Sequence, residues 1–198
     1  MNARPPTVAA WLAALSPERR ASAEVLLATV RKHLPTGYAE GMASGMVAWH
    51  VPLSRYPAGY HCTPGQPLPF ASLAATKAGF ALHLFALYCA PRQREAFVRA
   101  WKASGQRLDM GAACVRVRDA GEVPLEVLGR ALAALPVDTF VAAYEALLPA
   151  KVRERQAREA AAPAKASAKP KASTKVRPAA KPAARTRTTR PARTSRAR

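Results

Sequence analysis

Apolar residues in the first part of the chain recur every three to four positions, which is typical of amphipathic helices. Residues 8–15 follow this spacing, and Thr7 is placed to cap their first turn. A second helix is predicted from Pro17 to about Leu34, because proline is tolerated in the first helical turn and apolar residues continue on one face. The chain therefore opens with two helices.

The pattern then changes to strand-like segments in which apolar and polar positions alternate or all positions are apolar. We predict four strands: "MVAWHVPL" (46–53), "PFASLAAT" (69–76), "FALHLFALY" (80–88) and "ACVRVR" (113–118). The first contains Pro52, which places it near a sheet edge. The third is apolar on both faces, so we expect it at the centre of the sheet.

Helical spacing returns in three further segments. Helices are predicted to begin at Pro91 and at Pro124, and a last one is predicted with Asp138 as its N-cap. The resulting order, ααβββαβαα, predicts an α+β domain with a small antiparallel sheet of about four strands and helices grouped at both ends.

One connection is too long for a simple hairpin. Residues 54–69, "SRYPAGYHCTPGQPLP", span 16 positions with four prolines and two glycines, and loops of this length are often functional. Tyr56, Tyr60 and His61 favour an ordered flap over a candidate site. His61 and Cys62 are also candidate ligands for a soft metal, although adjacent side chains in an extended segment are expected to point apart.

Charge divides the chain into two parts. Residues 1–150 hold 15 Lys/Arg against 10 Asp/Glu, a net charge of +5, whereas residues 151–198 hold 16 against 2, a net charge of +14. Such asymmetry indicates a polyanionic partner. We predict an α+β domain over 1–149, a charged helical extension over 150–162 and a disordered tail over 163–198.

The tail from 163 to 198 contains 12 cations and no acid, with proline, alanine, serine, threonine and one valine between them. It resembles the basic tails of histone H1-like bacterial proteins, and it predicts sequence-independent binding to duplex DNA through phosphates. An anionic membrane surface and a merely solubilising role are the alternatives. The predicted nucleic-acid-binding residues are Lys165, Lys169, Lys171, Lys175, Arg177, Lys181, Arg185, Arg187, Arg190, Arg193, Arg196 and Arg198.

The three cysteines, Cys62, Cys89 and Cys114, are odd in number and form no C-x-x-C pair. They predict free thiols in a reducing cytosol. The most apolar run, 78–90, is 13 residues long, whereas a membrane span needs about 20. We therefore expect a cytoplasmic protein without a membrane partner, associated with the nucleoid if the tail binds DNA.

Three segments together resemble the YdhG-like family of bacterial domains of unknown function. They are "YAEGMASGMVAWHVPL", "FASLAATKAGFALHLFAL" and "LDMGAACVRVRDAGEVPLEVLGRAL". The positions that match the family's motifs are Glu40, Gly45, Met46, Lys77, Gly111, Arg116 and Pro124. The resemblance covers about residues 7–148 and implies a small α+β fold. Some members resemble frataxin in role, as iron chaperones. Because carboxylates are sparse in residues 1–150, we expect no cofactor, with iron as the alternative.

Candidate ligand-binding residues are the charged side chains at or near strand ends, together with the two flap residues. They are Glu40, Tyr60, His61, Lys77, Asp109 and Arg116. Two interpretations stay open for the charged residues, internal ion pairs or a polar pocket for a small ligand, because a small domain does not bury charge without a partner. No catalytic motif and no metal-binding motif is recognised.

Three functions follow from these observations. The first is a non-enzymatic protein whose basic tail binds DNA. The second is a carrier of iron or of a small ligand, with an incidental tail. The third is an enzyme of unknown reaction.

Overall fold

The computed structural model describes residues 5–161, and the structural statements below concern that part of the chain. In chain order the elements are α1 (Val8–Ala13), α2 (Pro17–His33), β1 (Ala39–Ala43), β2 (Met46–Val51), β3 (Leu68–Thr76), β4 (Gly79–His83), α3 (Phe85–Cys89), α4 (Pro91–Ala103), β5 (Asp109–Met110), β6 (Cys114–Val117), a 3₁₀ turn (Ala120–Glu122), α5 (Leu125–Ala133), α6 (Val137–Leu147) and α7 (Ala150–Ala161). The predicted tail, with all twelve of its candidate DNA-binding cations, lies outside the described residues.

The strands form one antiparallel sheet in the order β1-β2-β3-β4-β6-β5. The predicted α+β class with an antiparallel sheet is confirmed. The predicted number of about four strands is wrong, because the sheet has six strands in the described region.

The first unpredicted strand is β1, "AEGMA", which lacks apolar alternation. It forms because Ser44 and Gly45 make a two-residue turn that pairs Ala43 with Met46. Both turn residues have positive φ, 54° and 83°, and this geometry matches the twist of the paired strands. The turn therefore positions a strand that its own sequence does not signal.

The predicted strand over 80–88 is correct only in its first half. Strand β4 ends at His83, and the short helix α3 follows over Phe85–Cys89. A run that is apolar on every face carries no period to separate strand from helix. Here the helix buries Leu87 and Cys89, and the ring of Phe85 packs edge-on against Phe140.

Two smaller differences concern the C-terminal half. Strand β5 has only two residues, too few to show alternation. Asp138 is not the N-cap of α6, because Pro136 occupies that position and Asp138 lies in the first turn. From the first turn, its carboxylate pairs with Arg55 at 3.3 Å.

The hydrophobic core lies on one face of the sheet. Strand residues that contribute to it include Val47, Trp49, Leu73, Phe80, Leu82 and Val115. Helix α2 adds Leu26 and Leu27, and α5 adds Leu128, all essentially inaccessible to solvent. The helices therefore cover this face of the sheet.

The opposite face of the central strands carries mostly small residues. Ala48 lies opposite Ser72, and Ala74 lies opposite Ala81 and, one strand further, Arg116. Ala48 and Ala81 are buried, yet neither belongs to the core cluster. One end of this face is charged, because Arg116 and its neighbour Asp109 belong to it.

Candidate functional site

Glu40 lies on the edge strand β1 and is held by two side chains. Arg31, in the last turn of α2, donates from Nε at 2.8 Å and from Nη2 at 2.6 Å to the two carboxylate oxygens. The buried indole of Trp49 donates from Nε1 at 3.0 Å. The hydrogen bond from Arg31 is the main reason that the pKa of Glu40 lies below its usual range. For Glu40, the geometry is that of an internal ion pair.

Asp109 and Arg116 face each other across β5 and β6, and Arg116 donates to Asp109 at 2.7 Å. Both side chains are about half exposed. They belong to the lining of an open cavity of about 720 Å³ at this end of the sheet. The sequence prediction therefore placed two of its candidates at one site, and the two pair with each other there.

Three further charged residues line the same cavity, and sequence reasoning missed them as site residues. Arg118 donates to Glu122 from Nε at 2.5 Å and from the backbone nitrogen at 2.7 Å. Arg107 also lines the cavity, and its positive charge helps to lower the pKa of Glu122, after the stronger hydrogen bonds from Arg118. The alternation in "ACVRVR" was a usable signal, because it places Arg116 and Arg118 on one face.

Lys77 lies in the exposed turn between β3 and β4, and its neighbours Thr76 and Ala78 line the cavity. Arg19 of α2 supports this turn by donating to the carbonyl oxygens of Thr76 at 2.6 Å and Gly79 at 2.9 Å. Lys77 therefore stands at the rim of the site that contains Asp109 and Arg116.

Glu40 is not part of this group. It lies on β1, which forms one edge of the sheet, whereas Asp109 lies on β5 at the other edge. The six predicted residues thus do not converge on one pocket.

Tyr60 and His61 belong to a third location. The loop between β2 and β3 packs against α6 and α7: the Tyr56 ring meets the Tyr144 ring edge-on, and the amide of the buried Gln156 donates to the carbonyl oxygens of Ala58 and Gly59 at 3.4 Å. These contacts hold the loop against the two helices. Its residues do not belong to the lining of the 720 Å³ cavity, so the loop does not gate that site.

The described residues contain no group of three or more His, Cys, Asp or Glu side chains able to hold a metal ion. In the cavity, the carboxylates of Asp109 and Glu122 are already engaged by arginines.

Helix α7 presents basic side chains to solvent and connects the domain to the tail. Lys151, Arg153 and Arg158 are exposed, whereas Val152 packs against the core. Together with Gln156, Val152 anchors the helix on the folded domain. The tail thus continues from an anchored basic helix.

No single helix in residues 5–161 is long and apolar enough to cross a membrane. Only α5 and α6 taken together reach that length and apolarity, and a 78° bend separates them.

Comparisons of the chain with protein-family models, with curated proteins and with solved structures found no match.

Proposed function

We propose that this protein binds duplex DNA without sequence preference, as a non-enzymatic, nucleoid-associated protein of the cytoplasm. The observation that carries the proposal is the concentration of 12 cations and no acid in residues 163–198. A chain of this composition neutralises phosphates and releases counterions, and it makes no contacts that read bases.

The folded domain supports this function as an anchor. Helix α7 exposes Lys151, Arg153 and Arg158 shortly before the tail, so the basic character begins on the folded domain. Val152 and Gln156 hold that helix against the domain. The domain and the tail would then travel together along DNA, with the tail supplying most of the binding free energy. That the folded domain belongs to the YdhG-like family stays a prediction.

The test is a salt series with the full-length protein and two unrelated duplexes. If about 6–10 cations meet phosphates, affinity should fall by ~10³–10⁵ between 50 and 200 mM salt. The two duplexes should differ by less than ~1 kcal/mol, because phosphate contacts carry no base information.

Variants of the tail sharpen the test. Replacing Arg185, Arg187, Arg190 and Arg193 by Gln should flatten the log–log salt slope by roughly 0.9 per lost contact. The matched control replaces Thr186, Thr188 and Thr189 by Ala, which keeps every charge and should change little. A salt slope near zero, or equal binding by the glutamine variant, refutes the proposal.

A carrier of a small ligand is the second candidate, and the 720 Å³ cavity favours it. Its three arginines and Gln106 offer hydrogen-bond donors to an anionic ligand. Arg116 and Arg118 already donate to Asp109 and Glu122, so such a ligand would compete with these two carboxylates. Binding of inorganic phosphate that is lost in Arg107→Gln and kept in the tail variant would favour this candidate.

A further inference from the structure

The loop between β2 and β3 brings a thiol next to an imidazole. The exposed Sγ of Cys62 lies 3.2 Å from Nε2 of His61. The expectation that these adjacent side chains point apart is wrong, because they occupy the two central positions of a turn. The turn is closed by a hydrogen bond from the Thr63 nitrogen to the Tyr60 carbonyl oxygen at 3.0 Å.

The imidazole is held from its other side. The hydroxyl of Tyr144, on α6, lies 2.7 Å from Nδ1 of His61 and accepts a hydrogen bond from the His61 backbone nitrogen at 2.9 Å. Tyr144 is almost fully buried, so the surrounding core holds its hydroxyl in place. When Nδ1–H donates to that hydroxyl, the lone pair of Nε2 faces the thiol.

Tyr60 is a further polar neighbour of Cys62. The pKa of Tyr60 is raised to about 12, first because its hydroxyl is hydrogen-bonded to Cys62 and then because the ring is partly buried. On α7, the Arg155 guanidinium lies 3.5 Å from the His61 carbonyl oxygen and adds positive charge nearby. Cys62 therefore has the imidazole of His61 as its hydrogen-bonding neighbour, with Tyr60 beside it.

We propose that Cys62 is a nucleophilic thiol, with His61 as its base and Tyr144 as the residue that positions the base, and that it reacts with small disulfides. Such a nucleophile, a base within hydrogen-bond reach and a third group that orients the base form the usual arrangement of an activated thiol. The proton of Cys62 passes to Nε2 of His61. The thiolate then attacks one sulfur of the disulfide, a new S–S bond forms, and the other sulfur leaves as a thiolate.

The other two cysteines provide controls within the same molecule. Cys89 is 3% exposed, and burial raises the pKa of its thiol to about 12. Cys114 is half-buried, and burial likewise raises the pKa of its thiol. Because the thiolate is the reactive form, both should react slowly.

The experiment treats the full-length chain with dithiodipyridine, an uncharged disulfide whose released product absorbs light, and maps the modified cysteine by mass spectrometry. One thiol per chain should react in a fast phase, and it should be Cys62. Since an ordinary thiol is only a few per cent ionised at neutral pH, loss of the base in His61→Gln should slow this phase about tenfold. Cys62→Ser should abolish it, and Cys114→Ser should leave it unchanged.

Tyr144→Phe tests the positioning role while keeping the ring in the core. The Cys62 rate should fall more steeply between about pH 8 and pH 6 in this variant than in the wild type, as in His61→Gln. The other titratable or charged groups facing the site are Tyr60, Cys89, Glu145 and Arg155. A fast phase at Cys114 or Cys89, or a Cys62 rate unaffected by His61→Gln, overturns the proposal. An unchanged pH profile in Tyr144→Phe overturns the role of Tyr144.

Discussion

Replacing Glu40 by Ala should destabilise the domain mainly through Trp49. The carboxylate of Glu40 accepts the indole N–H of Trp49, which is 1% exposed and so has no access to water as a substitute. Leaving such a donor without an acceptor costs about 1–3 kcal/mol. The ion pair with Arg31 adds at most about 1 kcal/mol, because the side chain of Arg31 is 49% exposed. The expected loss is therefore about 1–4 kcal/mol, most of it from the indole.

Two variants separate these contributions. Glu40→Gln keeps an oxygen for the indole and removes the charge, so it should cost about 1 kcal/mol or less. Arg31→Gln leaves Glu40 in place to accept from Trp49 and should cost a similar amount. Urea unfolding followed by circular dichroism measures all three. Equal losses for Arg31→Gln and Glu40→Ala would show that the indole hydrogen bond is not the dominant contribution.

The same pair predicts a pH dependence. The pKa of Glu40 is lower in the folded state than in the unfolded chain, chiefly because Arg31 donates to it. The stabilisation that Glu40 gives the folded state is therefore fully present above its pKa in the unfolded chain, about 4.3. This stabilisation is lost as the pH falls through its pKa in the folded state. The difference in stability between wild type and Glu40→Gln should shrink in that acidic range. A difference that stays constant from neutral to acidic pH contradicts this assignment.

Three other outcomes are expected. Gly79→Ala should lower the free energy of unfolding by about 2–4 kcal/mol, because the φ of Gly79 is 143° and a Cβ would lie 2.2 Å from the Val117 carbonyl oxygen. As a control, Gly105→Ala should lower it by only about 1 kcal/mol, because Gly105 has a φ of 78° but open space around it. Thermal or urea unfolding measures both. Hydrogen exchange should find protected amides at Tyr60 and His61, because both are hydrogen-bonded. Gln156→Ala should accelerate their exchange. Unprotected amides at these two residues would refute an ordered loop. Anaerobic calorimetry with ferrous iron should give no stoichiometric, micromolar isotherm, since Asp109 and Glu122 are engaged by arginines, whereas such an isotherm would favour the iron carrier.

The elements with a clear period were predictable from the sequence. Helices α2 and α4 each begin with a proline and keep one apolar face, and β6 alternates. Strand β1 was not predictable, because the turn at Ser44-Gly45 and the pairing with β2 create it. The residues after His83 were not predictable either, because burial on all sides leaves no pattern to distinguish a helix from a strand.

The sequence allowed us to predict which residues are candidates for the site better than which contacts they make. The rule of charged residues near strand ends selected Asp109 and Arg116, which the sheet brings together. The partner of Glu40 is Arg31, nine residues earlier, and no helical or strand spacing signals that contact. Sequence spacing also predicted the wrong directions for His61 and Cys62, because a turn replaces the extended backbone.

The strand order has a consequence for how the chain folds. In four of the five strand pairs, neighbours in the sheet are consecutive along the chain, and β4–β6 is the exception. The β1–β4 meander within residues 39–83 therefore needs only short loop closures, apart from the one between β2 and β3. The packing of α2 on α5, where the His33 ring lies against Gly129, joins segments almost one hundred residues apart. Because closing a longer loop costs more entropy, we expect the packing of α2 on α5 to form after the β1–β4 meander.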